Sequence, residues 1–367
     1  MKQLILQAIE NTESGCISYA DFMELALYHP SAGYYMKGQT KIGKSGDFYT
    51  SSSVSDVFAE IIGTKLVQLI QKGLVPPIIL EIGGGNGTFA KQVLHTWKEL
   101  SPDTFIKGKY ILIEASPFHK ELIQEQLQEF DNVELFNQIK DAKECFPTFK
   151  GIIFSNEFFD ALPVHVIKKQ NGAFHEIMIG RVGAELVEMV TPLCNDQILS
   201  FVEKYGVELK EGQRYEIPLV MDFLFLELSS WVEEGLVITI DYGYSDHEWG
   251  LPFHSQGSLR GYYKHQMIED PLKNVGEMDL TTHIHFDKLI KAGEWAGFTD
   301  QRLVRQDEFL IESGILHYLQ DHVNNDPFSE VSKKNRAIRS LIMQGGISSS
   351  FRVLLQTKGI KIEDFLT

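Results

Sequence analysis

Pro77-Ile78-Ile79-Leu80-Glu81-Ile82-Gly83-Gly84-Gly85-Asn86-Gly87-Thr88 is the stretch whose reading decides the fold. An apolar run ends in an acid, then a glycine-rich turn, then a helix-like segment, which is how a strand hands over to a helix at a nucleotide-binding edge. Glycines there let the backbone take positive φ and approach a ligand closely. The spacing departs from the dinucleotide fingerprint G-x-G-x-x-G. Gly83 and Gly85 fit, but the sixth position is Thr88 and the third glycine comes one residue early, at Gly87. A tight turn with no ligand would use the same residues, so the decision rests on the rest of the chain.

Outward from this loop the pattern alternates. Strands are expected at about 78–82, 110–114, 133–136 and 151–156, with helices at about 88–99 and 117–130 between them. This β-α-β regime implies a parallel sheet with crossover helices. A helix at about 219–233, a strand at 236–243, a helix at 285–296 and strands near 299–305 and 351–356 complete the sheet. Residues 1–75 read as mainly helical: Leu4, Ile5, Ala8 and Ile9 share one face, Ser18 caps a second helix, and a third runs from about Ser55 to Gln71. Residues 163–190 alternate in polarity around Asn171-Gly172, an inserted β element with a hairpin turn. Residues 244–283 read as a polar insertion with few strand or helix signals, of the kind that is usually functional.

Composition narrows the function classes. The 367 residues carry a formal net charge of −16, a poor match for polyanionic nucleic acid. A small cofactor, or a basic segment of another protein, suits such a chain better. Cys16, Cys145 and Cys194 are far apart, which predicts neither a disulfide framework nor a zinc site and fits a reducing compartment. No apolar run is long enough to span a bilayer. The start, MKQLILQAIENTES, lacks the h-region of a secretory signal and the Arg-rich, acid-poor character of a transit peptide. These features together predict a cytoplasmic location. Nothing in the residues speaks to the oligomeric state.

In open α/β sheets, ligands sit beyond the carboxyl ends of the strands. Three motifs fall there. The glycine loop is one. Glu114, at the end of the second strand, is placed to accept hydrogen bonds from ribose hydroxyls. Asn156-Glu157-Phe158-Phe159-Asp160 follows the fourth strand, and its two acids suit a cationic substrate, since a guanidinium fork matches carboxylates bidentately. Gly46-Asp47-Phe48-Tyr49-Thr50-Ser51 offers aromatic rings for a sulfonium by cation–π attraction. His283 is a titratable group in a late loop. The spacing of His247, His254, His265, His283 and His285 matches no metal-binding arrangement, and no metal is expected. No G-x-S-x-G elbow is present, which argues against a hydrolase.

Taken together, FMELALYHPSAGYY (22–35), GDFYTS (46–51), EIGGGNGT (81–88), IEASP (113–117), NEFFDALP (156–163), SLRGYYKH (258–265) and DLTTHIHF (279–286) resemble the S-adenosylmethionine-dependent methyltransferase family that includes the mitochondrial complex I assembly methyltransferase. The resemblance implies an α/β fold, a Rossmann-like seven-stranded class I methyltransferase sheet, with an N-terminal helical region and inserted β and loop elements. Residues 1–75 would cap the cofactor site, and residues 76–367 would form the methyltransferase domain, with insertions at about 163–217 and 244–283. S-adenosylmethionine is the implied cofactor, with Asp47, Phe48, Thr50, Glu81, Gly83, Gly85, Gly87, Glu114, Ala115 and Ser116 as its binding residues. Asn156, Glu157, Asp160 and His283 are the implied catalytic residues, and a protein side chain, arginine first, is the implied methyl acceptor. The expected partner is a protein substrate, with neither nucleic acid nor membrane. The chain departs from the family at Ser52 and Ser53, where Pro and Glu are usual, at Phe174-His175-Glu176, where a Trp is usual, and at His285. The Ser52 and Ser53 departure leaves a second reading open, a cofactor-binding assembly or interaction factor with little turnover.

Overall fold

Seven strands run in one hydrogen-bonded path. They are β1 (Ile78–Ile82), β2 (Lys109–Ile113), β3 (Val133–Phe136), β4 (Phe149–Asn156), β5 (Val232–Tyr244), β6 (Asp300–Arg305) and β7 (Phe351–Lys358), in the spatial order β6-β7-β5-β4-β1-β2-β3. β1 pairs in parallel with β2 and β4, and β4 in parallel with β5, while β7 runs antiparallel to both β5 and β6. The order reverses between β1 and β4, so the topological switch point lies at their carboxyl ends. Each run read as a sheet strand in the sequence is present, and the sheet has eight strands rather than seven, because Ile284–His285 pairs in parallel with the end of β5.

The computed structural model describes residues 1–38, 56–321, 326, 329–343 and 350–363. The chain divides into two compact units. One holds Tyr49–Phe158, Glu227–Tyr242 and Gly293–Thr367, and contains the sheet; the other holds Met1–Phe48, Phe159–Leu226 and Gly243–Ala292.

The sheet unit is buried on both faces, as parallel sheets require. Ile79, Tyr110, Leu112, Ile152, Phe154, Leu236, Ile238, Val353 and Leu355 form its core with the helices Asp56–Gln71 and Thr88–Leu100. Helix Asp56–Gln71 buries Val57, Phe58, Ile61, Ile62, Leu66, Val67, Leu69 and Ile70 and keeps a narrow polar stripe at Asp56, Glu60, Thr64, Gln68 and Gln71. β4 and β5 meet at two glycines in register, Gly151 and Gly235, beside a bulge between Val232 and Glu234. Their φ angles are +150° and +145°, and a Cβ on Gly235 would stand 1.9 Å from the Gly151 carbonyl oxygen. Only glycine fits that approach.

The second unit is antiparallel. Strand Ala173–Val182 pairs with His165–Gln170, Glu185–Pro192 and Ile17–Ser18, and His165–Gln170 also pairs with Arg214–Ile217. The hairpin turn falls at Asn171-Gly172 as expected, with φ of 53° and 76°. Ser18 closes a capping box with Asp21 over helix Tyr19–Tyr28. That helix and Lys2–Glu10 bury Ile5, Ile9, Phe22, Met23 and Leu27 with Val164, Val166, Ile177, Ile179 and Leu280. Residues 244–283 contain more structure than their sequence announces. Arg260–Tyr263 pairs with both Gln266–Ile268 and Asp279–Thr281. Strands of three or four residues are too short to show a period, which is why alternation does not reveal them.

Replacing Gly235 with Ala is expected to destabilise the fold by more than about 1 kcal/mol, because it forces a Gly-only backbone region and a clash in the sheet interior. Urea unfolding checks this, and an unchanged midpoint would show that the β4–β5 contact tolerates a side chain.

Candidate functional site

The glycine loop folds as its sequence predicts. Gly83, Gly85 and Gly87 have φ of 76°, 53° and 81°, and Gly87 is the N-cap of helix Thr88–Leu100. The loop turns out of β1 at the switch point, and the loop after β4 lies next to it: a Cβ on Gly83 would come within 3.0 Å of the Phe158 ring.

Glu114 ties the glycine loop to the turn after β2. It is 9% exposed; its Oε2 accepts from the Gly85 N–H at 3.0 Å, and its Oε1 from the Ser116 N–H at 2.8 Å. A carboxylate has about four lone-pair sites, so it keeps acceptor capacity for two ligand hydroxyls. Ser116 caps helix Pro117–Leu127, with Ala115 between it and Glu114. His119, which the sequence reading missed, is buried with Nδ1 3.8 Å from Glu114 Oε1. Its only sequence signal is its place three residues after Ser116, in the first turn of that helix.

Glu81 is 4% exposed, and its Oε2 accepts from the Tyr110 hydroxyl at 2.6 Å. Burial pushes its pKa up to about 8; the Tyr110 bond opposes the shift and the nearby Glu114 adds to it. Tyr110 could not have been singled out from sequence, because it reads as one more apolar position of β2.

Asn156 ends β4, and its Nδ2 donates to Glu157 Oε1 at 3.2 Å. Its Oδ1 is buried with no hydrogen-bond partner among the described residues. Glu157 has φ of 49°, one of five non-glycine residues in left-handed backbone among those described, and its N–H donates to the Ile240 carbonyl of β5 at 2.9 Å. Holding a non-glycine residue there costs on the order of 1–3 kcal/mol, and such strain clusters at functional sites.

Asp160 and His283 belong to the second unit. Asp160 is 4% exposed; its carbonyl accepts from the Thr282 N–H at 2.9 Å, and the next carbonyl, Ala161, accepts from the Tyr28 hydroxyl at 3.0 Å. Tyr28 stacks on Tyr35, which donates to Asp279 Oδ1 at 2.6 Å. Burial, and after it the charges of Asp279, Tyr28 and Asp160, hold the Tyr35 phenol well above its ordinary range, so it stays a donor. Buried His283 has Nε2 3.2 Å from an Arg260 guanidinium nitrogen, which can only donate. Burial first, then the Arg260 charge, hold its pKa well below the usual histidine range, so the ring is neutral with its proton on Nδ1. His285, one of the departures from the family pattern, is fully buried. Its Nδ1 lies 3.0 Å from the Tyr215 hydroxyl and its ring stacks on Trp249, and burial, with Lys288 nearby, lowers its pKa to about 3. The other departure places Glu176 in the core, with His165 Nδ1 2.8 Å from its Oε1.

Asp47, Phe48 and Thr50, with Ser52 and Ser53, lie outside the described residues. Among the described residues no group of His, Cys, Asp or Glu has a metal-holding arrangement, and no helix is long and apolar enough to cross a membrane.

The residues at the switch point fit S-adenosylmethionine. A three-glycine cradle, a ribose-competent acid at the end of β2 and an orphaned amide oxygen at the end of β4 supply acceptors and close backbone approach where a nucleoside carrying an amino acid needs them.

Comparison with known proteins agrees. Residues 61–304 match a family model described as "Putative S-adenosyl-L-methionine-dependent methyltransferase". A Drosophila melanogaster protein named protein arginine methyltransferase NDUFAF7 homolog, mitochondrial, is 27% identical over 302 residues, which cover 76% of this chain and 66% of that one. The Danio rerio protein of the corresponding name is 27% identical over 353 residues, 86% of this chain and 77% of that one. A COG1565 superfamily member from Burkholderia thailandensis, solved with S-adenosyl-homocysteine bound, shares the fold with a TM-score of 0.85 at 23% identity, over 98% of this chain and 92% of that one. The expectation of a cytoplasmic location is corrected by these relatives, since those named are mitochondrial. Unpaired cysteines report a reducing environment but not which compartment provides it. The family model covers more than half of the chain and matches the β1 loop, the β2 acid and the β4 motif in one span, so the chain belongs to this family of S-adenosyl-L-methionine-dependent methyltransferases.

Proposed function

We propose that this chain transfers the methyl group of S-adenosylmethionine to a side-chain nitrogen of arginine in another protein. The observation that carries the reading is Glu157, an acid held in left-handed backbone at the end of β4, one residue from the Phe158 ring that touches the glycine loop. When bound, S-adenosylmethionine supplies an electrophilic methyl on a sulfonium. The chain's own residues then have to bind, orient and manage a proton.

Gly83, Gly85 and Gly87 bring backbone close to the amino acid part of the cofactor, and Glu81, protonated up to about pH 8 in the folded chain, offers an oxygen to its ammonium. Glu114 takes the ribose hydroxyls, with Ala115 and Ser116 lining the same turn. Glu157 accepts guanidinium N–H groups, and Asn156 steadies its carboxylate through the bond from Nδ2. Arginine is a poor nucleophile because its charge is delocalised, so a carboxylate that localises the charge away from the attacking nitrogen lowers the barrier. On transfer the attacking nitrogen would have to give up a proton, and Glu157 is the residue proposed to receive it. In the second unit, buried Asp160 and the Tyr35–Asp279 pair gather acidic groups of the kind that suits a cationic side chain. His283, whose Nε2 lone pair Arg260 engages, fits an orienting role better than proton transfer. The named relatives, described as protein arginine methyltransferases, support arginine as the acceptor.

The test is labelled-methyl transfer from S-adenosylmethionine into lysate protein from a strain lacking the gene. Glu157→Gln is expected to lower the rate by about 10²-fold or more while cofactor affinity by calorimetry stays within about 3-fold. An unchanged rate removes Glu157 from the mechanism, and binding without any turnover in the wild type favours the assembly-factor reading. Glu114→Ala is expected to weaken cofactor binding by more than about 10-fold, since it removes the ribose acceptor and frees the Gly85 loop; wild-type affinity in this variant would exclude Glu114 from the site.

Glu81 gives a pH dependence with a fixed sign. Its folded pKa, about 8, is raised above the unfolded value, so the stability it contributes is full below the unfolded pKa and is lost as pH rises through about 8. Glu81→Gln removes that loss, so its melting temperature relative to the wild type is expected to be higher at about pH 8.5 than at about pH 5.5. An identical difference at the two pH values would show that Glu81 is ionised throughout.

A further inference from the structure

Glu216 lies in none of the motifs that define the cofactor or substrate residues, yet it is 1% exposed and satisfied by three donors from one loop. Its Oε1 accepts from the Ser258 N–H at 2.9 Å and the Leu259 N–H at 3.2 Å, and its Oε2 from the Ser258 hydroxyl at 3.3 Å. The loop is shaped for this carboxylate: Gly257 has φ of 77°, and a Cβ there would stand 2.2 Å from Glu216 Oε1. A carboxyl group buried in strand Arg214–Ile217 is costly unless hydrogen-bonded, and these three bonds offset that cost.

The hydrogen bonds continue in one direction. Because the Ser258 hydroxyl donates to Glu216, its lone pairs face away and accept the His283 N–H at 2.9 Å. Arg260 fastens the same two segments, with Nε donating to the Ser258 carbonyl at 2.8 Å and its guanidinium to His283 Nε2 at 3.2 Å. The residue before His283 is Thr282, whose N–H binds the Asp160 carbonyl at 2.9 Å and whose hydroxyl lies 3.4 Å from the same oxygen. All of these residues belong to the second unit.

We propose that Glu216 is a positioning residue for Asp160. Through the Ser258 hydroxyl it sets the Thr282-His283 backbone, and that backbone sets the carbonyl of Asp160. The role rests on the reading of Asp160 as an acid that binds the cationic substrate. A neutral amide at position 216 keeps the shape but offers one acceptor oxygen and a donor, so the Ser258 hydroxyl loses its fixed direction and the charge-assisted strength of the bond.

The experiment compares Glu216→Gln, Ser258→Ala and the double variant with the full wild-type chain, by hydrogen exchange at the Thr282 and His283 amides and by initial rates of labelled-methyl transfer into lysate protein. Ser258→Ala guards against a folding defect in the first variant, because it leaves Glu216 its two backbone donors. In both single variants the two amides are expected to exchange at least about 10-fold faster, and the rate at saturating cofactor to fall about 10-fold or more, with cofactor half-saturation within about 2-fold. The double variant is expected to be no slower than the slower single one, the non-additivity of residues that act through one contact. Unchanged exchange in both variants overturns the proposal, as does faster exchange with a wild-type rate. Asp160→Asn separates the two levels. If it transfers at the wild-type rate, the reading of Asp160 fails and the positioning role with it; if it is slow while Glu216→Gln is not, only the positioning role fails.

Discussion

The switch-point edge of the sheet depends on one carboxylate. Glu114 joins two turns that leave different strands, gripping Gly85 on one and Ser116 on the other. The glycine loop has backbone freedom by composition, and freedom alone does not make a binding site. A second-strand acid that takes a backbone N–H from the loop converts three left-handed glycines into a fixed cradle. The order β6-β7-β5-β4-β1-β2-β3 puts that cradle at the reversal point, with the β4 loop as its neighbour.

The β4 loop uses strain where the β1 loop uses glycine. Asn156 ends a strand buried between β1 and β5, and Glu157 must turn the chain at once. It does so with positive φ, held by its N–H on Ile240. The acid is thereby presented at the strand end rather than carried away along the surface. The second unit holds its acids differently. Asp160 and Asp279 are buried, and tyrosines and backbone amides around them fix the segments that carry them. Within each unit the result is a carboxylate on a fixed backbone, a feature that suits a planar cation.

Much of this was legible in the sequence, for identifiable reasons. The seven strands of the main path are apolar runs bounded by turn residues, so length and flanks reveal them even without alternation. Glu81, Gly83, Gly85, Gly87, Glu114, Asn156 and Glu157 are visible because each sits at the end of such a run. Tyr110 and Glu216 are not, because their importance lies in a partner far away in sequence: Tyr110 is twenty-nine residues from Glu81, and Glu216 forty-two from Ser258. The small sheet within residues 244–283 was hidden by the shortness of its strands. The compartment was misread for another reason: thiol spacing and the charge of one segment report chemistry, not address.

The measurement that tests the account most directly is the location of the transferred methyl. Lysate protein from a strain lacking the gene is incubated with the purified chain and isotopically labelled S-adenosylmethionine, then digested and sequenced by tandem mass spectrometry. Label is expected on a side-chain nitrogen of arginine, in a small number of proteins, and at a rate lowered by about 10²-fold or more when Glu157 is replaced by Gln. Label on another residue type, or no protein label from a chain that binds the cofactor, would contradict the account.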